Sequence, residues 1–228
     1  MDSDVAVPPI FDSHHVKAFF TSRNLQCNPR TLSEFLGVAP GDIYIPVQKH
    51  TDQVIVLDSD RQSRIADAVI TSERGVFIGV QTADCVPILL FDKKRRVAGA
   101  IHAGWRGTAA AILKKTIERM AGRFFSSPED IVIAIGPSIR WCCYEVGYEV
   151  IESVTRTTGE GDYYKTKGGK YCIDLASANR QQAVSLGVPT EQIWLSDECT
   201  YCKSDKYYSY RFAKGSTGRQ CAIIGIIL

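Results

Sequence analysis

The run TADCVPILLFDKKRRVAGAIHAGWRGTAAAILKKTIERM, residues 82–120, decides how the chain folds. It holds two apolar stretches, Val86 to Phe91 and Val97 to His102, around the charged break Asp92-Lys93-Lys94-Arg95-Arg96. Two such stretches across a short polar break read as paired strands. The chain then turns through Ala103-Gly104-Trp105-Arg106-Gly107. Beyond it Ala109, Ile112, Leu113, Ile117 and Met120 recur at helical spacing, so a helix is expected from near Thr108.

Working outward, Ile43 to Val47 and Gln53 to Leu57 read as short strands around the polar break Lys49-His50-Thr51-Asp52. Ala66 to Thr71 and Gly75 to Val80 are expected to form a hairpin-like pair across Ser72-Glu73-Arg74. Ile131 to Ile135 reads as a buried strand ending at Gly136-Pro137. Helices are expected over Gly147 to Thr157 and Leu175 to Leu186, the second capped by Asp174 and stopped at Gly187. Ile193 to Leu195 and Ala222 to Ile227 complete the strands. Strands and helices do not alternate strictly, which favours a mixed-sheet α+β class over a doubly wound parallel sheet. No repeat, low-complexity stretch or Pro/Gly/Ser linker divides the chain, so residues 1–228 read as one domain.

The composition excludes several function classes. The chain has 228 residues, enough for a sizeable core, of which 45% are hydrophobic and 23% charged. The net charge is +2, and acids and bases alternate, so no basic stripe for nucleic acid stands out. No apolar segment approaches the roughly 20 residues that cross a bilayer. The opening MDSDVAVPPIFDSHH lacks the basic and apolar regions of a signal peptide, and the chain reads as cytoplasmic. The eight cysteines are therefore expected to serve as thiols, in a metal site or in catalysis rather than as disulfides.

Three polar segments interrupt the ends of apolar runs: Gln48-Lys49-His50, Thr82-Ala83-Asp84-Cys85, and His102 to Gly107. Each carries one residue that suits a borderline metal. Two imidazoles and a thiolate match zinc, and three protein ligands leave a fourth position open, the mark of a catalytic site. Two other readings of the same residues stand beside it. A cysteine near a histidine can form a thiolate nucleophile, with Asp84 or Gln48 orienting the base. Each residue can also be structural: His50 bonded to solvent at a strand end, Cys85 a small buried hydrophobe, Trp105 a core cap. Arg106 is either a surface guanidinium or a planar clamp for phosphate or carboxylate. Cys142-Cys143 reads as a structural vicinal pair. Cys199-Thr200-Tyr201-Cys202 is a CxxC for which no second pair stands at matching spacing. His14-His15 is expected to face solvent.

Four longer stretches carry a family resemblance. TADCVPILLFD (82–92), VAGAIHAGWRGTAAAIL (97–113), IAIGPSIRWCCYEVG (133–147) and DECTYCKSDKYYSYRFAKGSTGRQCAIIGI (197–226) closely resemble the YfiH-like laccase-domain family. The resemblance runs from about Val47 to the C-terminus. It implies a layered α/β sandwich and one zinc per chain, held by His50, Cys85 and His102. It further implies phosphorolysis of adenosine, inosine, guanosine or methylthioadenosine to free base and ribose 1-phosphate, with phosphate as co-substrate, and deamination of adenosine to inosine. On this reading Cys85, His102, Asp84 and Arg106 carry the chemistry, while Arg23, Gln48 and Arg106 bind substrate. The family's older label is a multicopper oxidase. Four histidines are too few for a multicopper cluster, so copper is not expected. The N-terminal stretch FFTSRNLQCNPRTLSEFLGV (19–38) departs from the family pattern: it keeps Arg23 but lacks the paired glycines that usually follow.

Overall fold

The computed structural model describes residues 4–12 and 15–227, so His14 lies outside the described residues. The chain runs β1 (Val5–Ala6), β2 (Val16–Thr21), α1 (Pro29–Leu36), β3 (Ile43–Tyr44), β4 (Val54–Val56), β5 (Ala68–Thr71), β6 (Phe77–Thr82), β7 (Val86–Asp92) and β8 (Val97–Ala103). It continues through α2 (Trp105–Ala109), α3 (Ile112–Phe124), β9 (Ile131–Ile135), β10 (Glu145–Val146), α4 (Tyr148–Thr158), β11 (Tyr164–Lys167) and β12 (Lys170–Ile173). It closes with α5 (Leu175–Ser185), β13 (Ile193–Leu195), α6 (Tyr210–Ala213) and β14 (Gln220–Ile226).

Two mixed sheets stack face to face. One has the order β1-β2-β14-β6-β3, the other β13-β9-β7-β8-β5-β4, and β10-β12-β11 form a small third sheet. Strand alternation divides the core. Val69, Leu89, Phe91, Ala98 and Ala134 of the six-stranded sheet meet Phe20, Ile78, Val80, Ala222 and Ile224 of the five-stranded one. The other face of the six-stranded sheet, through Ile70, Ile88, Leu90, Ile101 and Ile133, packs on apolar residues of α3, α4 and α5. Phe19, Phe77 and Ile223 cover the outer face of the five-stranded sheet beneath Leu32 and Phe35 of α1. The result is the layered α/β sandwich that the sequence leads one to expect.

β7 and β8 pair antiparallel from Val86↔Ala103 to Asp92↔Val97, as the opening stretch requires. Pro87 is tolerated in this central strand because β9 pairs β7 only from Ile88 onward. The expected pairing of residues 66–71 with 75–80 does not form. β5 joins β8 and β4 in one sheet, while β6 joins β14 and β3 in the other. Both runs are buried on both faces, so each takes a central place instead of closing a local hairpin. The first expected strand is also shorter, covering Ile43–Tyr44 before the chain leaves the sheet.

The expected helix begins earlier, at Trp105, and breaks at Ala110-Ala111, where Ala111 is left-handed with φ 57°. Neighbouring helices draw off its polar groups. Gln182 Nε2 donates to the Thr108 carbonyl at 3.1 Å and Thr157 Oγ1 to that of Ala109 at 2.6 Å. The helices at 148–158 and 175–185 stand where expected, and the Asp174 side chain accepts from Ser177 N at 3.0 Å. One expectation about cysteines is corrected: Cys27 and Cys221 form a disulfide. The segment before α1 lies along β14, where Cys27 N donates to the Arg219 carbonyl at 2.9 Å, and this brings the two sulfurs together.

Candidate metal centre

Three chain reversals meet at one end of the sandwich. The chain crosses from the five-stranded to the six-stranded sheet between Thr82 and Val86, and Cys85 lies in that crossing. Asp84 makes the bend with φ 88°. Its carbonyl accepts from Ile139 N at 2.9 Å. Its carboxylate accepts from Thr200 Oγ1 at 2.6 Å and from Arg211 N at 2.7 Å. His50 occupies a second bend, with φ 58°, in the segment before β4. His102 stands one residue before the end of β8. Gly104 follows, and a Cβ there would lie 3.1 Å from Cys85 Sγ and 3.2 Å from His50 Cδ2. Glycine thus lets the backbone approach the cluster.

The donor atoms of His50, Cys85 and His102 lie within 4.8 Å of one another. Cys85 Sγ is 3.9 Å from His50 Nε2, and the two imidazole rings meet edge to face at 4.8 Å. Behind them sits Asp67, fully buried just before β5. Its carboxylate accepts from His102 Nδ1 at 2.7 Å, from Thr51 N at 2.6 Å and from His50 N at 3.1 Å. Its carbonyl also accepts from His102 N at 2.7 Å. This carboxylate leaves His102 Nε2 directed at the cluster, the arrangement that supports metal-bound histidines.

Electrostatics matches the geometry. Burial works to raise the Asp67 carboxyl, but hydrogen bonds from His102 and Thr51 hold it down at about 2. Burial likewise opposes the Cys85 thiolate, yet the adjacent His102 and His50 bring the thiol down to about 6. Burial disfavours the His102 cation, while Cys85 and Asp67 bring it up to about 9. The donor set, two imidazoles and a readily ionised thiol, fits zinc, and the cluster opens into a cleft of about 950 Å³.

The cleft is also lined by Trp105, Arg106, Ile139, Tyr144, Tyr210, Arg211 and Arg219. Arg106 lies over the Trp105 ring at 4.6 Å. Gln48 lines the cleft too, but its amide is engaged with the backbone of β6, accepting from Gln81 N at 2.7 Å and donating to Gln81 O at 2.8 Å. Arg23 is not brought into the cleft. It donates to the Ser204 carbonyl at 2.5 Å and lies over the Tyr208 ring. Asp67, Tyr144, Arg211 and Arg219 are residues that sequence reasoning does not single out. Asp67 alone carries a signal, a lone acid inside an apolar run.

Fold and site together define a layered mixed α/β protein with an open His–Cys–His cluster in a cleft. Residues 20–227 match the family model described as multi-copper polyphenol oxidoreductase laccase, and the chain belongs to that family. A purine nucleoside phosphorylase of Bacteroides thetaiotaomicron is 40% identical over 84% of this chain and 76% of its own length. A prokaryotic protein named adenosine deaminase RL5 is 37% identical over 83% of this chain and 77% of its own. Among solved structures, YlmD of Geobacillus stearothermophilus is 30% identical and superposes with a TM-score of 0.90, covering 96% of this chain and 94% of its own. YfiH of Bacillus licheniformis superposes with a TM-score of 0.91 at 29% identity, covering 98% and 97%. Among the described residues, no helix is long and apolar enough to cross a membrane.

Proposed function

We propose that the chain is a zinc-dependent purine nucleoside phosphorylase that also deaminates adenosine, a glycosyl transferase and hydrolase in one site. The observation that carries this reading is the convergence of His50, Cys85 and His102, with Asp67 behind His102, in a cleft that also holds three arginines. The relatives' names supply the substrate class. Adenosine, inosine, guanosine and methylthioadenosine are the proposed substrates, with phosphate as co-substrate.

In phosphorolysis a phosphate oxygen bonds to the anomeric carbon as the bond to the purine nitrogen breaks. The phosphate needs cations beside it, and Arg106, Arg211 and Arg219 supply planar donors. The aromatic faces of Trp105 and Tyr210 offer stacking surfaces for the base. The departing purine takes up a proton. Tyr144 lines the same cleft, and burial pushes its hydroxyl up to about 12, with Cys85 adding to the rise, so it stays neutral and can offer the purine a hydrogen bond rather than a charge. A bound zinc supplies Lewis-acid chemistry for the charge that develops in either reaction. Asp84 acts by holding the bend before Cys85, and Gln48 by holding the adjoining strand.

Incubating the protein with adenosine, with and without phosphate, tests this. Adenine and ribose 1-phosphate are expected only with phosphate, and inosine in both cases. Cys85→Ala is expected to lose both activities together with the zinc of the His–Cys–His cluster. Arg106→Ala should raise the KM for phosphate more than it slows deamination. Absence of turnover of any nucleoside sinks the proposal. One observation favours a second reading: Cys85 Sγ lies 3.9 Å from His50 Nε2, and against burial the two imidazoles lower the thiol while Cys85 and Asp67 raise His102, which suits a thiolate–imidazolium pair. Such a pair suits a cysteine-type amide hydrolase, for instance one acting on peptidoglycan precursors. Full activity after chelation would favour it.

A further inference from the structure

The CxxC at residues 199–202 has no partner pair by spacing, yet the fold gives it one. A turn closed by Cys143 N and Tyr144 N, each donating to the Arg140 carbonyl at 2.9 Å, carries the adjacent Cys142 and Cys143. Cys202 Sγ lies 3.7 Å from Cys142 Sγ and 3.3 Å from Cys143 Sγ. With Cys199, all four sulfurs lie within 4.8 Å of one another. The two loops are already paired through a parallel bridge, Ser138↔Cys199, and Thr200 N donates to the Ser138 carbonyl at 3.1 Å.

Tetrahedral zinc with four thiolates has bonds of about 2.3 Å, which sets sulfur–sulfur edges at about 3.8 Å. A disulfide requires about 2.05 Å. The two separations at Cys202 are far too long for a bond and close to the tetrahedral edge. Cys199 Sγ also accepts from Arg140 N at 3.4 Å, the kind of outer support that ligating thiolates receive. We propose that Cys142, Cys143, Cys199 and Cys202 form a second zinc site, separate from the cleft and structural in role. Four protein ligands close the coordination shell and leave no position for substrate. Zinc binding displaces the thiol protons to solvent and requires no oxidant.

The site's position gives it a purpose. The first loop contributes Ile139 and Tyr144 to the cleft, and the second contributes Thr200, which holds the Asp84 carboxylate. A clamp on both loops therefore fixes one wall of the cleft.

Elemental analysis of the full chain, produced with added zinc and purified under thiol reductant, tests the inference. Two zinc ions per chain are expected, one after Cys85→Ala, one after Cys202→Ser, and none in the double variant. Cys202→Ser should also melt at lower temperature. The cobalt-loaded Cys85→Ala protein should show the sulfur-to-cobalt charge-transfer and ligand-field bands of a tetrahedral tetrathiolate, a readout that survives even if Cys202→Ser fails to fold. A metal-free Cys85→Ala protein without that spectrum overturns the site. So does peptide mapping that finds Cys202 disulfide-bonded to Cys142 or Cys143 in the reduced, zinc-replete protein. A single zinc in the parent that is retained in full by Cys85→Ala would uphold this site while sinking the His–Cys–His centre.

Discussion

Asp67 binds His102 twice, through a carboxylate oxygen and through its carbonyl, and ties the backbone of residues 49–51 to the same carboxylate. One buried acid therefore aims one ligand and fixes the bend that presents another. Asp67→Asn keeps the shape but removes the charge that holds the His102 Nδ1 proton. Zinc affinity is expected to fall about 10- to 100-fold, the usual effect of losing such support. Competition with a chromophoric chelator measures it, and unchanged affinity would remove Asp67 from the centre. At this scale the sequence is informative about ligand types, and for their support it offers only a lone acid inside an apolar run. His50, Cys85 and His102 stand out because soft or borderline ligands interrupt apolar strand ends. Asp67 looks like an ordinary strand-edge acid until its partner, 35 residues away, is folded against it.

Asp174 works at the level of an element. One oxygen caps α5 through Ser177 N, and the other accepts from Arg140 Nε at 2.8 Å, with both side chains largely shielded from solvent. Asp174→Ala removes the cap and strands the guanidinium, an expected loss of about 3 kcal/mol. Asp174→Ser restores the cap alone and should recover about 1 kcal/mol in urea unfolding. No recovery would mean that the cap contributes nothing. The cap was readable because capping is local: an Asp precedes an apolar, helical run. Arg140 as its partner was not. The break at Ala110-Ala111 escaped the sequence for the same reason, since TAAAIL favours continuous helix. Side chains from α4 and α5 take the carbonyls that a continuous helix would use.

Across the whole molecule, stability is expected to fall in acid partly through Glu198. Burial raises its carboxyl, but hydrogen bonds from Lys203, Tyr207 and Lys206 hold it down at about 2, against an ordinary value of 4.5. A depressed folded value means that its contribution is complete above 4.5 and disappears as pH falls toward 2. Glu198→Gln should therefore be less stable than the parent at neutral pH, and the difference should close over that acid window. A difference that persists at the lowest pH would show that the effect is packing rather than charge.

By itself, the sequence determined the apolar runs that become β7, β8, β9 and β14, the helices at α4 and α5, and the chemistry of the ligands at strand ends. These follow from periodicity, caps and residue type, which act over a few neighbouring residues. Only the tertiary structure decided that β5 and β6 part into different sheets, since their burial on both faces suits two central positions equally. It alone joined Asp67 to His102, Cys27 to Cys221, and Cys142-Cys143 to a CxxC some 60 residues further on. Those contacts depend on how layers stack, and no local spacing encodes it.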